Sequence, residues 1–420
     1  MKYVIIGNSA AGIAAVEGIR KIDKQGEITV ITNEPYHTYS RPLISYLLRG
    51  KVTEETMRYR GDSFYSDNRC TLLCNAAVTE IGVEEKEAIL TDGRRIPYDK
   101  LLVATGSSAF VPPFEGLDTV KCKHTFMNLD DARGLNETLD KDKNVLIVGA
   151  GLIGLKCAEG MLNRVFHVTV LDLAPQILSS ILDEDGAKLV QNHLESKGID
   201  FKLSSGVKKF EENTAVLDSG ETIGFDVLVL AVGVCPNTAL LNGIAKIDRG
   251  IVINEKSETT ARDVYAAGDC TQTLDVSSDQ SKIMALLPNA YMQGECAGMN
   301  MAGGQKTFEK AIPMNAIGFL GLHIITAGNY SGEVYAENEP ASADDCENLK
   351  QFRYKRLFYR DNTLNGSILI GKVDKAGIYT NLIRERTPLD TIDFALVCEK
   401  PGLMAFGKEY RKIGLGGESK

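Results

Sequence analysis

Two glycine-rich segments, each preceded by a short apolar run, contain residues whose types and spacing indicate a chemical function. The more regular one is Gly149-Ala-Gly-Leu-Ile-Gly154, with the spacing G-x-G-x-x-G, and a later apolar run, 167–171, ends at Asp172. Such glycines permit a tight turn and a close approach of backbone N–H groups to a pyrophosphate. An acid about 20 residues later can accept hydrogen bonds from ribose hydroxyls. The segment therefore predicts a strand, a turn, a helix and a second strand that bind a dinucleotide.

Asp172 also bears on which dinucleotide is bound. A carboxylate at this place repels a 2′-phosphate, and the residues that follow, 173–177, contain no arginine to receive one. The sequence therefore favours NADH over NADPH.

The first 34 residues repeat this arrangement with one departure. An apolar run over 2–6 is followed by Gly7, Ser9 and Gly12, then by a helical run and a second apolar run that leads to Glu34. Ser9 replaces the middle glycine, but serine is small enough to let the backbone approach a pyrophosphate. Two interpretations stay open for this segment alone: a second dinucleotide site, or a buried strand–helix–strand unit without a ligand.

Arg41 follows the first strand-end acid in a stretch with two prolines, and a helical run begins near residue 43. A cation at this place could meet a cofactor phosphate or ring. The alternative is a surface arginine in a loop.

Three further apolar runs end in turns, and the first two predict exits from a domain. They stop at Ala104-Thr-Gly106, at Ala231-Val-Gly233 and at Gly268-Asp269, and prolines follow the first two. The Asp269 carboxylate can accept hydrogen bonds from a polyol, although Gly-Asp is also a common turn. The segment 288–302 predicts a helix of small residues, which suits either a flat ligand or close packing of the helix on a sheet.

Composition disfavours several other classes of protein. The net charge of −9 argues against a nucleic-acid partner, and no apolar run approaches the roughly 20 residues that cross a bilayer. The chain enters its first predicted strand at once, so we expect no signal peptide. Nine irregularly spaced cysteines fit a reducing cytoplasm, and Cys70 and Cys74 are predicted to be buried structural thiols in a strand. The scattered histidines show no metal-ligand spacing, so no metal is expected.

From about residue 310 the pattern changes to a separate α+β domain. Strand-like runs are expected at 312–328, 350–359 and 367–371, with a turn at 361–366 and a helix at 376–386. The final residues carry a small basic excess, which predicts a solvated tail or, alternatively, a docking element for an acidic partner. Its charged residues are Lys408, Glu409, Arg411, Lys412, Glu418 and Lys420.

Taken in order, these motifs resemble the FAD-dependent pyridine nucleotide-disulfide oxidoreductase superfamily. The chain looks most like the branch of NADH:rubredoxin reductases, ferredoxin reductases and the flavin modules of nitrite reductases. The order matches over almost the whole chain up to about residue 405. The resemblance implies an α/β fold with two Rossmann-like nucleotide-binding domains, for FAD and NAD, and a C-terminal α+β interface domain that often makes dimers. The implied boundaries are 1–112 with 245–310 for FAD, 113–244 for NAD, and 311–420 for the interface domain.

The resemblance also assigns roles to residues. It implies FAD on the first loop, with Glu34 on the adenosine ribose, Arg41 and Pro42 near the flavin, Asp269 on the ribityl or phosphate region and residues 290–293 near the ring. NADH would lie on the second loop with Asp172 on its ribose. The candidate cofactor-binding residues are Gly7, Ser9, Ala10, Ala11, Gly12, Glu34, Arg41, Pro42, Val78, Ala104, Thr105, Gly106, Gly149, Gly151, Leu152, Ile153, Gly154, Asp172, Gly233, Gly268, Asp269 and Ala290.

Departures from the superfamily pattern bear on the chemistry. The C-x-x-x-x-C pair of disulfide reductases is absent, and Arg41 stands roughly where NADH oxidases and peroxidases carry a single cysteine. Neither a thiol relay nor sulfenate chemistry is therefore expected there. Leu152 replaces a tyrosine lid, which predicts open access for the nicotinamide.

A charge pair is also changed. Related enzymes often place a lysine near flavin N5 against a glutamate, whereas here Tyr46 aligns with the lysine and Lys156 with the glutamate. We expect Lys156 to supply the cation from the opposite side, as the candidate catalytic residue. A surface lysine on that helix is the alternative.

The resemblance implies an enzyme that passes hydride from NADH to FAD, and then electrons to rubredoxin, ferredoxin or an iron–sulfur partner subunit. Three alternatives stay open. One is an NADH oxidase or peroxidase acting on oxygen species. Another is a flavin subunit of a larger electron-transfer complex, with the basic end as its docking element. The third, a redox-sensing binding protein, rests only on the scattered cysteines.

Overall fold

A computed structural model describes residues 1–339 and 353–407 of the chain. The charged residues of the basic end lie outside this range, as does the start of the strand expected at 350–359. The described chain forms two compact units. The first comprises 1–178, 195–273 and 281–309, and the second comprises 179–194, 274–280 and the chain from residue 310 onward.

The strands are β1 Lys2–Ile6, β2 Glu27–Ile31, β3 Cys70–Leu73, β4 Val78–Gly82, β5 Glu87–Leu90, β6 Arg95–Pro97, β7 Lys100–Val103, β8 Ser107–Ala109, β9 Lys123–His124, β10 Asn144–Val148, β11 His167–Leu171, β12 Ile199–Lys202, β13 Val207–Glu211, β14 Thr214–Leu217, β15 Thr222–Gly224, β16 Val227–Leu230, β17 Val234–Pro236, β18 Ile251–Val252, β19 Val264–Ala266, β20 Thr271–Asp275, β21 Gln280–Ile283, β22 Met314–Phe319, β23 Leu322–Gly328, β24 Glu333–Glu339, β25 Arg353–Arg360 and β26 Thr363–Gly371. The α-helices are α1 Ala10–Ile22, α2 Ile44–Leu48, α3 Phe64–Asp67, α4 Leu129–Thr138, α5 Leu152–Met161, α6 Glu184–Glu195, α7 Leu287–Met301, α8 Ala376–Glu385 and α9 Phe394–Glu399.

Two parallel sheets form the centre of the first unit. One has the strand order β19-β7-β1-β2-β3 and the other has the order β12-β11-β10-β16-β9. Their central strands are continuous apolar runs, since both faces are covered: residues 3–6 of β1 and 145–148 of β10 are all buried. In each sheet a glycine-rich loop connects the central strand, β1 or β10, to a helix, α1 or α5. Together with the second unit, these sheets confirm the predicted α/β fold class.

The small-residue helix α7 packs on another helix, α1. A side-chain carbon added at Gly294 would lie 2.1 Å from the carbonyl oxygen of Ala11, and one at Gly298 would lie 2.2 Å from that of Ala15. Gly18 of α1 approaches the Glu295 carbonyl in the same way. For this helix the sequence left open a flat ligand or close packing on a sheet. In the structure α7 contacts β7 and β19, and its glycines also let two helix backbones come together, which places α7 against the helix that follows the first loop.

Small antiparallel elements complete the first unit. A hairpin turn at Asp92-Gly93 joins β5 to β6, and Gly93 has a positive φ of 84°. Cys70 lies on β3 as predicted, but Cys70 and Cys74 are only half-buried, since β3 is an edge strand of its sheet.

The second unit contains an antiparallel sheet of order β22-β23-β26-β25-β24, with α8 packed on it. The helix expected at 376–386 is confirmed as α8. The turn expected at 361–366 is shorter than predicted, because Asp361 and Asn362 alone reverse the chain with positive φ values of 51° and 59°. Asn and Asp tolerate this left-handed conformation, so the pairing of β25 with β26 continues up to the turn.

Candidate functional site

The first loop is closed by backbone contacts that only glycine allows. Gly7 has a φ of +122°, and a side-chain carbon there would lie 2.1 Å from the carbonyl oxygen of Ala104; one at Gly12 would lie 2.0 Å from that of Gly7. Ser9 precedes α1 in an extended conformation and makes no capping hydrogen bond with its side chain, and the first turn has no acid. The Ser9 side chain therefore does not occupy the N–H groups at the helix start, and their contact with an anion remains a prediction.

Small side chains and a buried amide gather beside this loop. A carbon added at Gly268 would lie 3.2 Å from Ala11 Cβ and 3.6 Å from Ala290 Cβ. The Gly268 N–H donates to Gln293 Oε1 at 2.9 Å. The structure thus brings together residues from the first loop, the Gly-Asp turn and α7, which are widely separated in sequence.

Asp269 stands at the edge of this cluster. It accepts a hydrogen bond from the Ser107 hydroxyl at 3.3 Å, and burial raises its pKa above the usual aspartate value. Asp269 is half-buried, and Ser107 is its one side-chain hydrogen-bond partner among the described residues, so its carboxylate is suited to accepting hydrogen bonds from a polyol.

Glu34 and Arg41 lie against each other. One guanidinium nitrogen of Arg41 donates to both carboxylate oxygens of Glu34 at 3.0 Å, and the Tyr39 hydroxyl donates to Oε1 at 3.0 Å. Sequence reasoning placed these two side chains on different parts of a cofactor and missed their pairing. Carboxylate oxygens have further lone pairs, so Glu34 can still accept from a ribose. Its predicted role remains a prediction.

Two buried polar atoms follow the same strand end. His37 Nε2 and Thr38 Oγ1 are inaccessible and have no hydrogen-bond partner among the described residues. Since buried polar groups are nearly always paired, these atoms indicate that a ligand with hydrogen-bonding groups belongs here. With the closed glycine turn and the free helix N-terminus, they fit a dinucleotide such as FAD.

The second loop repeats the first with more room. A carbon added at Gly149 would lie 2.2 Å from the Ala231 carbonyl oxygen, and one at Gly154 would lie 1.9 Å from that of Gly149, whereas one at Gly151 would meet nothing within 4 Å. Asp172 accepts from the Ala150 N–H at 2.6 Å. The tight turn, the acid and the open space at the middle glycine therefore lie together.

Replacing Asp172 by serine is expected to reduce kcat/KM for NADH tenfold to about 100-fold, because hydrogen bonds to a charged group contribute about 1.5–3 kcal/mol. The value for NADPH should stay constant or rise, since the repulsion of a 2′-phosphate is removed. Steady-state kinetics with both nucleotides measures the ratio. The matched control is Asp200→Ser on the neighbouring strand β12; an unchanged ratio in the Asp172 variant would contradict the assignment.

For the remaining candidate cofactor-binding residues, the structure gives the position but no contact that indicates a ligand. Gly106 and Gly233 have positive φ values and open space at the missing side chain, Leu152 and Ile153 start α5, and Pro42 is exposed in a 3-10 turn with Arg41. Val78 begins β4 and packs against a core cluster. Whether these residues touch a cofactor remains a prediction.

Lys156 is held in a small ionic cluster. Its Nζ pairs with Glu159 Oε2 and lies 4.9 Å from the centre of the Tyr46 ring. Glu159 Oε1 also accepts from Arg49 at 3.0 Å. Lys156 is only 18% exposed, so the alternative of a solvated surface lysine does not describe it. Sequence reasoning missed Glu159 and Arg49, although Glu159 stands at i+3 of Lys156 on the same helix.

Asn237 is a second residue that sequence reasoning missed. It follows β17, which pairs with β8, and its side-chain amide donates to the Thr105 carbonyl at 2.9 Å and accepts from the Ser108 hydroxyl at 2.8 Å. Its backbone N–H donates to the Gly106 carbonyl at 2.9 Å. The sequence signal that could have identified Asn237 is the Pro236-Asn237 pair, which follows the apolar run that stops at Gly233.

Replacing Asn237 by alanine is expected to destabilise the protein by about 1–3 kcal/mol, because the Thr105 carbonyl and the Ser108 hydroxyl lose their side-chain partner. Chemical denaturation measures the loss. The control is Asn242→Ala at an exposed position of the same segment. Equal stabilities of the two variants would show that the Asn237 side chain does not hold this junction.

The two loops, the strand-end acids and the two parallel sheets define a nucleotide-dependent oxidoreductase with two Rossmann-like sites. The chain belongs to the pyridine nucleotide-disulphide oxidoreductase family, whose sequence profile matches residues 1–294. It is an NAD(P)H oxidoreductase that uses FAD and NAD(H), which confirms the predicted superfamily and cofactors.

The chain is 32% identical over 416 residues to the NADH-dependent phenylglyoxylate dehydrogenase subunit epsilon of Aromatoleum evansii, with 97% of this chain and 96% of that protein covered. It is 25% identical over 373 residues to the NADH-rubredoxin oxidoreductase of Clostridium acetobutylicum, with 89% and 91% covered. The solved covalent putidaredoxin reductase–putidaredoxin complex contains a chain with the same fold, at a TM-score of 0.86, 22% identity and 99% coverage of both chains.

FAD, when bound, would supply the chemistry of accepting a hydride from NADH and of passing electrons to an acceptor. The chain's own residues supply position and electrostatics: the first loop and Glu34 would hold the FAD, and the second loop and Asp172 would hold the NADH. Among the described residues, no helix is long and apolar enough to cross a membrane.

Proposed function

We propose that this chain reduces its FAD with NADH and delivers the electrons to an iron–sulfur or rubredoxin-type protein, either a free carrier or a partner subunit. The observation that carries the proposal is the state of two thiols that adjoin candidate cofactor-binding segments in sequence. Cys157 in α5 and Cys270 after the Gly-Asp turn are completely buried, and burial raises the pKa of both, that of Cys270 to about 11.

Neither thiol is therefore ready to act as a thiolate, and Arg41 is tied to Glu34 at the place where sequence reasoning looked for a reactive cysteine. We propose on this ground that electrons on the flavin pass to an acceptor outside the chain. The NADH-rubredoxin oxidoreductase relative supports an iron protein as that acceptor.

The phenylglyoxylate dehydrogenase relative favours a partner subunit, rather than a free carrier, as the electron acceptor. That relative is named as one subunit of an NADH-dependent dehydrogenase, and the alignment covers nearly all of both chains. We propose on this ground that the chain works as the flavin subunit of a complex, with its iron–sulfur acceptor in another polypeptide.

The proposed location is a reducing cytoplasm. The described cysteines are all free thiols, including the exposed Cys235. Thiols persist in a reducing compartment, which supports the proposal.

The test has two arms. The FAD-loaded protein is reduced anaerobically with NADH and mixed either with oxidised rubredoxin or ferredoxin or with air-saturated buffer, and reoxidation is followed by visible absorbance. We expect reoxidation by an iron protein to be faster than by oxygen. Fast reoxidation by oxygen alone would overturn the proposal in favour of an NADH oxidase.

For the subunit form, the tagged chain is purified from its native cells. Co-purification of a polypeptide with iron–sulfur absorbance supports it. Recovery of the chain alone, with full activity toward a free carrier, would overturn it.

A further inference from the structure

Tyr39 joins two parts of the first unit that are far apart in sequence. Its hydroxyl donates a hydrogen bond to Glu34 Oε1 at 3.0 Å and accepts one from the Leu129 N–H at 3.1 Å. Glu34 follows β2, whereas Leu129 is the first residue of α4 and lies 90 positions after Tyr39. A single hydroxyl therefore connects the strand-end acid to the start of a helix.

The chemistry of the three groups fixes the direction of both hydrogen bonds. A backbone N–H can only donate, so the Tyr39 oxygen accepts from Leu129. An ionised carboxylate can only accept, so the hydroxyl hydrogen of Tyr39 points to Glu34. Tyr39 is buried, with 7% of its surface exposed, and burial raises the pKa of its hydroxyl. The hydroxyl therefore keeps its hydrogen, and Tyr39 is held at both ends.

Tyr39 also makes the two oxygens of the Glu34 carboxylate unequal. One guanidinium nitrogen of Arg41 lies 3.0 Å from both oxygens, so Arg41 does not distinguish between them. The Tyr39 hydroxyl bonds to Oε1 alone. Among the described residues, Arg41 is the one hydrogen-bond partner of Oε2. Since a carboxylate oxygen has two lone pairs, Oε2 is the oxygen that keeps one for a ligand.

The exposure of the two partners of Glu34 shows which of them fixes it. The Arg41 side chain is 39% exposed, and an ion pair between partly exposed side chains holds its members only weakly. The Tyr39 ring is buried, and its hydroxyl is anchored on the backbone of α4. Tyr39 is therefore the rigid partner of Glu34, and Arg41 is the mobile one.

We propose that Tyr39 is a positioning residue for FAD, which joins Glu34 to the start of α4 and leaves Oε2 as the oxygen that accepts from the adenosine ribose. Tyr39 acts through Glu34 and does not itself touch the cofactor. The proposal rests on the proposed function, because it needs FAD on the first loop with Glu34 at its ribose, but it does not depend on the electron acceptor.

The test is a double-mutant cycle on FAD binding. The full chain, freed of flavin, is titrated with FAD, and the dissociation constant is obtained from flavin fluorescence for the wild type, Tyr39→Phe, Glu34→Ala and the double variant. Tyr39→Phe should weaken FAD binding about tenfold when Glu34 is present, since the carboxylate loses its fixed hydrogen bond. In the Glu34→Ala background the same change should weaken binding less than about twofold, because Tyr39 has no carboxylate to position.

The matched control is Tyr98→Phe. Tyr98 is also buried, with 3% of its surface exposed, and its hydroxyl donates to the Gly82 carbonyl at 3.5 Å. This variant loses a buried tyrosine hydroxyl elsewhere in the same unit and should bind FAD as the wild type does. A purely structural role of Tyr39 at the start of α4 predicts the same loss in both Glu34 backgrounds, and that result would overturn the proposal. Wild-type FAD binding by Tyr39→Phe, or by Glu34→Ala, would overturn it as well.

If Tyr39→Phe does not fold, Leu129→Pro takes its place in the cycle. Asn128 has an extended backbone, which suits a residue before proline, and proline at the first helical position lacks the N–H that anchors the Tyr39 hydroxyl. A larger loss of FAD affinity with Glu34 than without it is again expected, and equal losses would again overturn the proposal. A wild-type chain that binds FAD but passes no electrons to an iron protein would instead contradict the proposed function, so the two failures are distinguishable.

Discussion

Replacing Gly151 by valine is expected to weaken NADH binding by about 100-fold or more while FAD stays bound. The residue has an extended backbone that valine adopts readily, with φ at −79° and ψ at −175°. A side-chain carbon there meets nothing within 4 Å in the described structure. The valine therefore costs the fold little, but its side chain enters the space from which the α5 N–H groups would meet a pyrophosphate.

The measurement is the dissociation constant of NADH, from the rate of flavin bleaching at increasing NADH concentrations. About 100-fold corresponds to roughly 2.7 kcal/mol of lost binding free energy. The control is Gly61→Val, another position with open space but far in sequence from either loop. Normal NADH binding by the Gly151 variant would mean that the second loop does not hold the nucleotide.

Replacing Gly294 by alanine is expected to destabilise the protein by about 3 kcal/mol and to weaken FAD retention. The new carbon would lie 2.1 Å from the Ala11 carbonyl oxygen, so α7 and α1 must move apart. Since Ala11 directly follows the start of α1, this movement displaces the N–H groups that the first loop offers to FAD.

The control substitution is expected to change the stability of the protein in the opposite direction. Gly134 lies in α4 with no atom closer than 3.8 Å to an added carbon, and Gly134→Ala should stabilise the protein by up to about 1 kcal/mol, since alanine favours helix over glycine. Chemical denaturation and FAD release on dilution measure both variants. Equal or greater stability of the Gly294 variant would show that the contact between α1 and α7 is not tight.

The local parts of the fold and site could be predicted because each is specified within about 30 residues. The glycine spacing, the apolar runs and the acids at the strand ends together predict the two loops and the strands and helices around them. The strands of the second unit were anticipated apart from β24, the turn that divides the run at 312–328 into β22 and β23, and the length of the turn before β26. Turn length depends on which residues take the left-handed conformation, which spacing alone does not reveal.

The contacts between distant segments could not be predicted. The sequence showed that α7 is rich in small residues, but not that its glycines meet α1, more than 270 positions earlier. Likewise, the position of Glu159 on its helix does not indicate that it pairs with Arg49, which lies 110 positions away in the sequence. The pairing of Glu34 with Arg41 was missed for another reason: both had been assigned to a ligand, so their attraction for each other was not weighed.

The most direct test of the central claim is an anaerobic titration of the FAD-loaded protein with NADH, followed by visible absorbance, with NADPH in parallel. We predict that NADH bleaches the flavin band stoichiometrically and that NADPH does so only at much higher concentration. The reason is that the Asp172 carboxylate, directly after β11, repels a 2′-phosphate. A flavin band that NADH leaves unchanged would contradict the account.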